Sequence, residues 1–372
     1  MRIFDRPSRL VLPPNIGRVG EARVEHEICV GGTTALSCWR EARIRVAESN
    51  ASSPYDPNPR PLLVRMLFGG TVDLDLSALP VKTDITRLPK TVYSEDAAWL
   101  SDQLSHVLRP LVCCVVSDAG RRFLTNAKTC ILGGGFPEGS IYIERHGIWL
   151  PSPELLTLLL CRSLPVGAAL MAMAELGGYY AIGLDGLLVA APPVTSSTAV
   201  GDYLERLRLY RADLGQRMPR GSSRASSLAA LAIDGAASPA EAVLAYLLCL
   251  PREMGGYGLP RPELNRRIAV DNEVYVCDLS WNEGSCLLEY QGGAHLSAGR
   301  AAADMRKGNA LRASGRTLLE AGRSELMSIS GMDRLAGLLA GALGACVAPW
   351  SAEERALQVK LRAELFSAEL LA

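Results

Sequence analysis
The spacing of apolar residues changes along the chain, and the changes divide it. In the first 150 residues, short apolar runs alternate with long polar connections. Val107–Val116 is a continuous run rich in Val and Cys and predicts a buried strand. Ile141–Leu150 (IYIERHGIWL) alternates loosely and predicts a second. Helices are expected at Thr33–Arg43 and at Ser94–Leu108, where Ser94, Glu95 and Asp96 suit a helix start. Asn50–Pro61, crowded with Pro, Ser and Asn, predicts an exposed loop.

At Ser152 the pattern becomes helical. Ser152 can cap, Pro153 fits the first helical position, and Leu155–Cys161 follows. Ala- and Leu-rich helical sequence continues past Glu175 to Gly177. From Ser238 the predicted order is helix, strand, strand, helix, strand. Ser238, Pro239 and Glu241 form a capping box for a helix ending near Cys249. Gly255–Pro260 is a turn-rich connection, and Val274–Ser280 and Ser285–Gln291 are short β-prone runs. A helix is expected over Ala298–Ser314 with Gly315 as its stop, then a strand at Thr317–Glu320. Two helices close the chain. The last has a capping box at Ser351 and Glu354 and a stripe of Leu357, Leu361 and Leu365, suited to the domain or to a second copy of the chain. These changes suggest a mixed N-terminal domain over 1–150, a helical region and basic linker over 151–237, a compact domain over 238–330, and C-terminal helices over 331–372.

Composition narrows the class. The chain has 372 residues, 48% hydrophobic and 21% charged, enough to bury a core and too apolar for wholesale disorder. Basic and acidic residues balance at 39 each, so no net field draws the protein to nucleic acid or membrane. The one concentrated basic stretch is Arg206–Arg224, with six arginines against Asp213. It reads either as a solvated helix face or as a nucleic-acid backbone contact, with Arg206 and Arg211 as candidates. No uncharged apolar stretch reaches the ~18 residues of a membrane helix, and the charged start resembles no signal peptide. Ten cysteines without a C-x-x-C pair suggest reduced thiols in a cytoplasm rather than a disulfide framework or zinc site.

The chemistry concentrates in Val274–His295 (VYVCDLSWNEGSCLLEYQGGAH). If the turn is the four residues Asn282–Ser285, Trp281 pairs with Cys286, Asp278 falls opposite Glu289, and Val276 falls opposite Gln291. A three-residue turn would instead place the two acids on opposite faces. Carboxylates directly across a strand pair repel, and a divalent cation is a common compensator. Mg²⁺, or Mn²⁺, held there by Asp278 and Glu289 could activate water against a phosphodiester. The simpler reading makes both acids edge-strand charges facing water.

The stretches SPAEAVLAYLL, LPRPELN, VCDLSW, LLEYQGGAH and DMRKGNALRASG follow one another in order. Together, Ser238–Leu326 resembles the PD-(D/E)XK nuclease superfamily in its very-short-patch-repair-endonuclease-like branch. The resemblance implies a restriction-endonuclease-like αβββαβ core within an α/β (α+β) chain whose N-terminal region is mixed and mostly helical. It implies Asp278 and Glu289 as metal-binding acids, Glu241 as a helix acid assisting them, and His295 and Lys307 near phosphate. Each of the last three has a plainer alternative: a cap for Glu241, a structural hydrogen bond for His295, and an ion pair with Asp304 for Lys307. Gln291 departs from the pattern, since the superfamily places Lys there and this branch Asp. An amide can orient a water or offer an oxygen to metal but cannot accept a proton. The 241–326 segment is also near neutral, with ten basic against eleven acidic residues.

Further upstream, CVGGTTALSCWR and GIWLPSPELLTLLL resemble segments of abortive-infection antitoxin-type regulators. The implied function is a Mg²⁺-dependent DNA endonuclease with Gln291 positioning the nucleophile. The alternative is a nuclease fold without catalysis, acting as a regulator or antitoxin-like binder.

Overall fold
The computed structural model describes residues 27–367 except 52–61, 64–65, 68–73, 108, 121, 123, 145–146, 184 and 293–297. The chain is a mixed α/β protein in two compact units. One unit takes the chain up to Pro165 and Ala181–Ala230, and the other takes Val166–Tyr180 and Leu231–Leu371. The helix Val166–Leu176 thus belongs with the C-terminal part of the chain.

The first unit is built on six short strands: β1 (Cys29–Val30), β2 (Val81–Lys82), β3 (Leu111–Val115), β4 (Ala127–Ile131), β5 (Ile141–Ile143) and β6 (Trp149–Pro151). They lie in the order β2-β5-β6-β1-β3-β4, with β1–β6 and β3–β4 parallel and the other pairs antiparallel. This region is therefore less helical than its sequence suggested. Ile141–Leu150 is a hairpin rather than one strand: Ile143 pairs with Trp149, Glu144 N–H donates to Ile148 O, and Gly147 has φ 82°. The Val107–Val116 strand shrinks to β3, which starts just after Pro110, a residue without an N–H for a ladder. Two minimal strands, β1 and β2, are too short to show a period. The helix Gly32–Ser49 outruns its predicted end and buries Trp39 and Arg43. Trp39 donates to Pro151 O at 3.0 Å, and Arg43 to Pro192 O at 2.7 Å. Ser152 caps the helix Pro153–Ser163 through the Leu155 N–H, as its sequence implies. β7 (Tyr180–Ile182) and β8 (Leu188–Ala190) form a small separate ladder.

In the C-terminal unit a four-stranded sheet runs β12-β11-β10-β9, from β9 (Glu263–Val270), β10 (Glu273–Trp281), β11 (Cys286–Gln291) and β12 (Thr317–Gly322). The β9–β10 and β10–β11 pairings are antiparallel and β11–β12 is parallel. Sequence reading missed β9, because ELNRRIAV carries Glu263, Arg266 and Arg267 at the sheet edge, where charge is tolerated and disguises a strand. Ile268, Val270, Cys277 and Leu287 of the sheet pack with Leu311 of the helix Ala298–Ala313. The closing helix Ala352–Leu365 buries Leu361 and Leu365 but leaves Leu357 38% exposed. It docks within its own unit, where Glu364 Oε2 accepts the Gly167 N–H at 2.8 Å and Arg252 pairs with Glu354 at 2.8 Å. Most of the leucine stripe is thus used inside the chain. No helix among the described residues is long and apolar enough to cross a membrane.

Candidate functional site
Three carboxylates and one ammonium gather where β10 leaves β11. The turn sets the register: Trp281 pairs with Cys286, Ser280 with Leu287 and Leu279 with Leu288. One further step would set Asp278 against Glu289, but the ladder stops at Leu279–Leu288. Val276 pairs instead with Arg267 on β9, and Gln291 with Gly322 on β12, so the expected Val276–Gln291 pair does not form.

Asp278 is unpaired on its other side too. The β9–β10 ladder passes from Cys277–Arg266 to Leu279–Leu264 and skips Asn265, whose φ is 48°. Asparagine tolerates this left-handed conformation better than most residues. The Asp278 side chain replaces the missing ladder bond by accepting the Tyr290 N–H at Oδ2, 2.7 Å away. Its Oδ1 has no hydrogen bond among the described residues.

Glu241 enters from the start of the helix Pro239–Cys249 and is 7% exposed. Its Oε1 accepts from the Ser238 hydroxyl at 2.8 Å. Its Oε2 accepts from the Ala237 N–H at 2.8 Å and from Asn265 Nδ2 at 2.7 Å. Asn265 also donates to Gly235 O at 2.9 Å. The capping reading therefore accounts for most of Glu241. Its carboxylate ties the helix start to β9 and has three protein donors.

Glu289 is bound to Lys307 of the helix Ala298–Ala313, with Nζ 2.6 Å from Oε2. Its Oε1 is buried and has no hydrogen-bond partner. Lys307 thus bonds Glu289 rather than the expected Asp304, which lies on the same helix. The sequence had Lys307 beside phosphate; the fold brings it to the acids.

The electrostatics follow from one cation among three acids. Burial first, then the Glu241 and Glu289 charges, hold the Asp278 carboxyl well above the usual carboxylate range, against the Tyr290 N–H and Lys307. Burial, and to a lesser degree Glu289, also raise Glu241 despite its three donors. Burial works against the Lys307 ammonium, but Glu289 outweighs it and keeps Lys307 charged above its ordinary range. Cys277 beside them is pushed up to about 12 by burial and then by Glu289.

The remaining candidates separate. Gln291 is exposed at the end of β11. His295 lies outside the described residues. Arg206 is exposed on the helix Ser197–Asp213, its guanidinium 5.4 Å from the Tyr203 ring centre. Arg211 on that helix is 4% exposed and is not a surface contact. It donates to Gly133 O and to Arg217 O and lies over the Phe136 ring. Its buried stem and the two loop carbonyls it fixes give Arg211 a structural task in place of the expected nucleic-acid contact. Both arginines belong to the first unit, whereas the carboxylates belong to the second. Asn265 closes the LPRPELN stretch of the motif order, but sequence reading assigned it no role, because the strand it lies on went unread.

Two features of the site bear on a divalent cation. Glu289 Oε1 is buried without a donor, and the acids outnumber their cation. Among the described residues no group of three or more His, Cys, Asp or Glu stands ready to hold a metal ion. The protein would supply two carboxylates and water the remaining ligands, the usual manner of holding Mg²⁺. Comparison with protein-family models, curated proteins and solved structures finds no match to this chain.

Proposed function
We propose that the C-terminal unit is a divalent-cation-dependent phosphodiester hydrolase of the PD-(D/E)XK type that acts on DNA. The observation that carries the reading is the pair Asp278 and Glu289 at the end of a strand ladder, each with an oxygen free of protein donors and both beside a single lysine. Helix, three strands, helix and fourth strand follow in the order the motif resemblance implies. Bound Mg²⁺ or Mn²⁺ would polarise the phosphodiester and make a nucleophile of water at neutral pH. Asp278 Oδ1 and Glu289 Oε1 would hold it. Lys307 fixes the Glu289 carboxylate and offers positive charge to a phosphate oxygen, the electrostatic task Gln291 cannot perform. The exposed Gln291 amide can orient a water, and Glu241 positions Asn265 and the strand behind Asp278.

A second reading, a binding module without catalysis, is favoured by the Lys307–Glu289 bond, which already neutralises one acid, and by the full donor set on Glu241. One experiment separates the two. Full-length protein is incubated with supercoiled plasmid and Mg²⁺ or Mn²⁺ beside Asp278→Ala, and Mn²⁺ binding is followed by calorimetry. Nicking by the wild type alone, with binding heat lost in the variant, supports hydrolysis. Equal nicking by both proteins, or neither nicking nor binding heat, refutes it.

A further inference from the structure
The N-terminal unit contains a row of thiols that the proposed hydrolysis does not use. Cys29 on β1 pairs in register with Cys114 on β3, and Cys114 pairs with Cys130 on β4. Three cysteines therefore lie side by side across three adjacent strands. The Sγ atoms of Cys114 and Cys130 are 3.2 Å apart, and all three thiols are free. Neighbouring strands are ~4.8 Å apart, inside the ~4.4–6.8 Å Cα separation that disulfides span. Forming the bond needs the sulfurs to close to ~2.05 Å, which a rotation of either side chain with a small strand shift supplies.

Two further features bear on reactivity. The helix Gly32–Ser49 begins beside this row, and its cap, Gly31, brings no side-chain oxygen to the first turn. A carbon added at Gly31 would collide with Cys114 Sγ and come within 3.7 Å of Cys130 Sγ. The thiols thus rest against a helix N-terminus, whose partial positive charge favours thiolate. Access differs along the row: Cys29 and Cys114 are buried, whereas Cys130, on the edge strand β4, is partly exposed.

We infer that Cys114 and Cys130 form a two-electron oxidation site, closing to a disulfide when the protein meets a hydroperoxide. The exposed member reacts first. The Cys130 thiolate attacks the peroxide oxygen, the O–O bond breaks, and with H₂O₂ a sulfenic acid and hydroxide result, the hydroxide becoming water with the proton the thiol had released. Cys114 sulfur then attacks the Cys130 sulfur, the S–O bond breaks, hydroxide leaves with the Cys114 proton as water, and the S–S bond forms. In sum, two thiols are oxidised and one H₂O₂ is reduced to two waters. Cross-strand disulfides of this kind are strained and hence readily reduced by a dithiol, so the site is reversible. The hydrogen bond with Cys130 lowers Cys114, but the one with Cys29 and then burial raise it. The hydrogen bond with Cys114 and then burial raise Cys130, which makes the first step slow at neutral pH and calls for excess oxidant.

The test uses the full chain with Cys346, the exposed cysteine, replaced by Ser in every arm to prevent coupling between molecules. The folded protein is treated with H₂O₂, quenched with alkylating agent, digested and mapped by mass spectrometry, with and without later dithiothreitol. The expected result is a Cys114–Cys130 linked peptide pair, two hydrogens lighter than the reduced pair, lost on reduction. It is retained in Cys113→Ser, whose residue pairs elsewhere with Val30 and Thr129, and absent in Cys130→Ser. Sulfinic or sulfonic acid at Cys130 without the linked pair would overturn the inference, as would linkage of Cys130 to another cysteine. The map of the Cys346→Ser parent decides the matter even where a further variant folds poorly.

Discussion
Replacing Asp278 by Asn tests the electrostatic account of the site directly. Asn keeps an oxygen for the Tyr290 N–H, 2.7 Å from the carboxylate, and removes a charge raised by burial, Glu241 and Glu289. A group held above its unfolded pKa binds its proton more tightly when folded. The folded state therefore loses stability as pH rises from the free aspartate value, ~3.9, toward the raised one. Each tenfold preference for the proton is ~1.4 kcal/mol. Weakening a charged hydrogen bond to a neutral one gives back ~1 kcal/mol. Asp278→Asn should thus stabilise the metal-free protein at pH 8 by ~1–2 kcal/mol. At ~2–4 °C per kcal/mol for a unit of this size, its melting temperature should rise by several degrees. The gain should shrink at pH 5, where the wild-type carboxyl holds its proton. Saturating Mn²⁺ should reverse the order, because ligand at 100 times Kd stabilises the wild type by ~2.7 kcal/mol and has no complete site in the variant. Calorimetric melts at pH 5 and 8, with and without Mn²⁺, give all four values. A variant less stable than wild type at pH 8, or a gain independent of pH, would show that Asp278 bears no buried charge conflict.

Glu289→Gln should act with the opposite sign, since it strands the Lys307 ammonium that now lies 2.6 Å from a carboxylate. A loss of ~2–3 kcal/mol by denaturant titration is expected, below the ~3–5 of a fully buried pair because both side chains keep some solvent contact. Lys307→Met should leave all three acids without their cation and so tighten Mn²⁺ binding in calorimetry while lowering any nicking rate. Weaker Mn²⁺ binding would contradict the charge balance. Gly167→Ala places a methyl 2.7 Å from Glu364 Cβ and 3.0 Å from Leu365 N. It should loosen the closing helix by ~1–3 kcal/mol, visible as faster amide exchange over Ala352–Leu365; unchanged exchange would refute that packing.

What could be read along the chain is what short-range chemistry specifies. Ser152, Ser238 and Ser351 cap helices as their neighbours imply, because a cap needs only a side-chain oxygen and an N–H three residues on. The four-residue turn at Asn282–Ser285 placed Trp281 against Cys286, since Asn282, Glu283 and Gly284 all adopt positive φ and leave little freedom in the register. Two carboxylates near the end of that hairpin followed from counting. The hairpin inside Ile141–Leu150 was hidden, because three-residue strands are shorter than the period that would reveal them.

Tertiary structure decided which groups meet. Lys307 reaches Glu289 across 18 residues, and Asn265 reaches Glu241 across 24. Arg211 is drawn from an exposed-looking basic run into contact with Gly133, 78 residues away. Cys29, Cys114 and Cys130 become neighbours only through the strand order β1-β3-β4. Sequence carries the local hydrogen bonds and the alternation of one strand, but strand order and helix placement come from burying whole faces together. The charges and thiols on those faces acquire their partners, and their altered affinity for protons, only when that burial is complete.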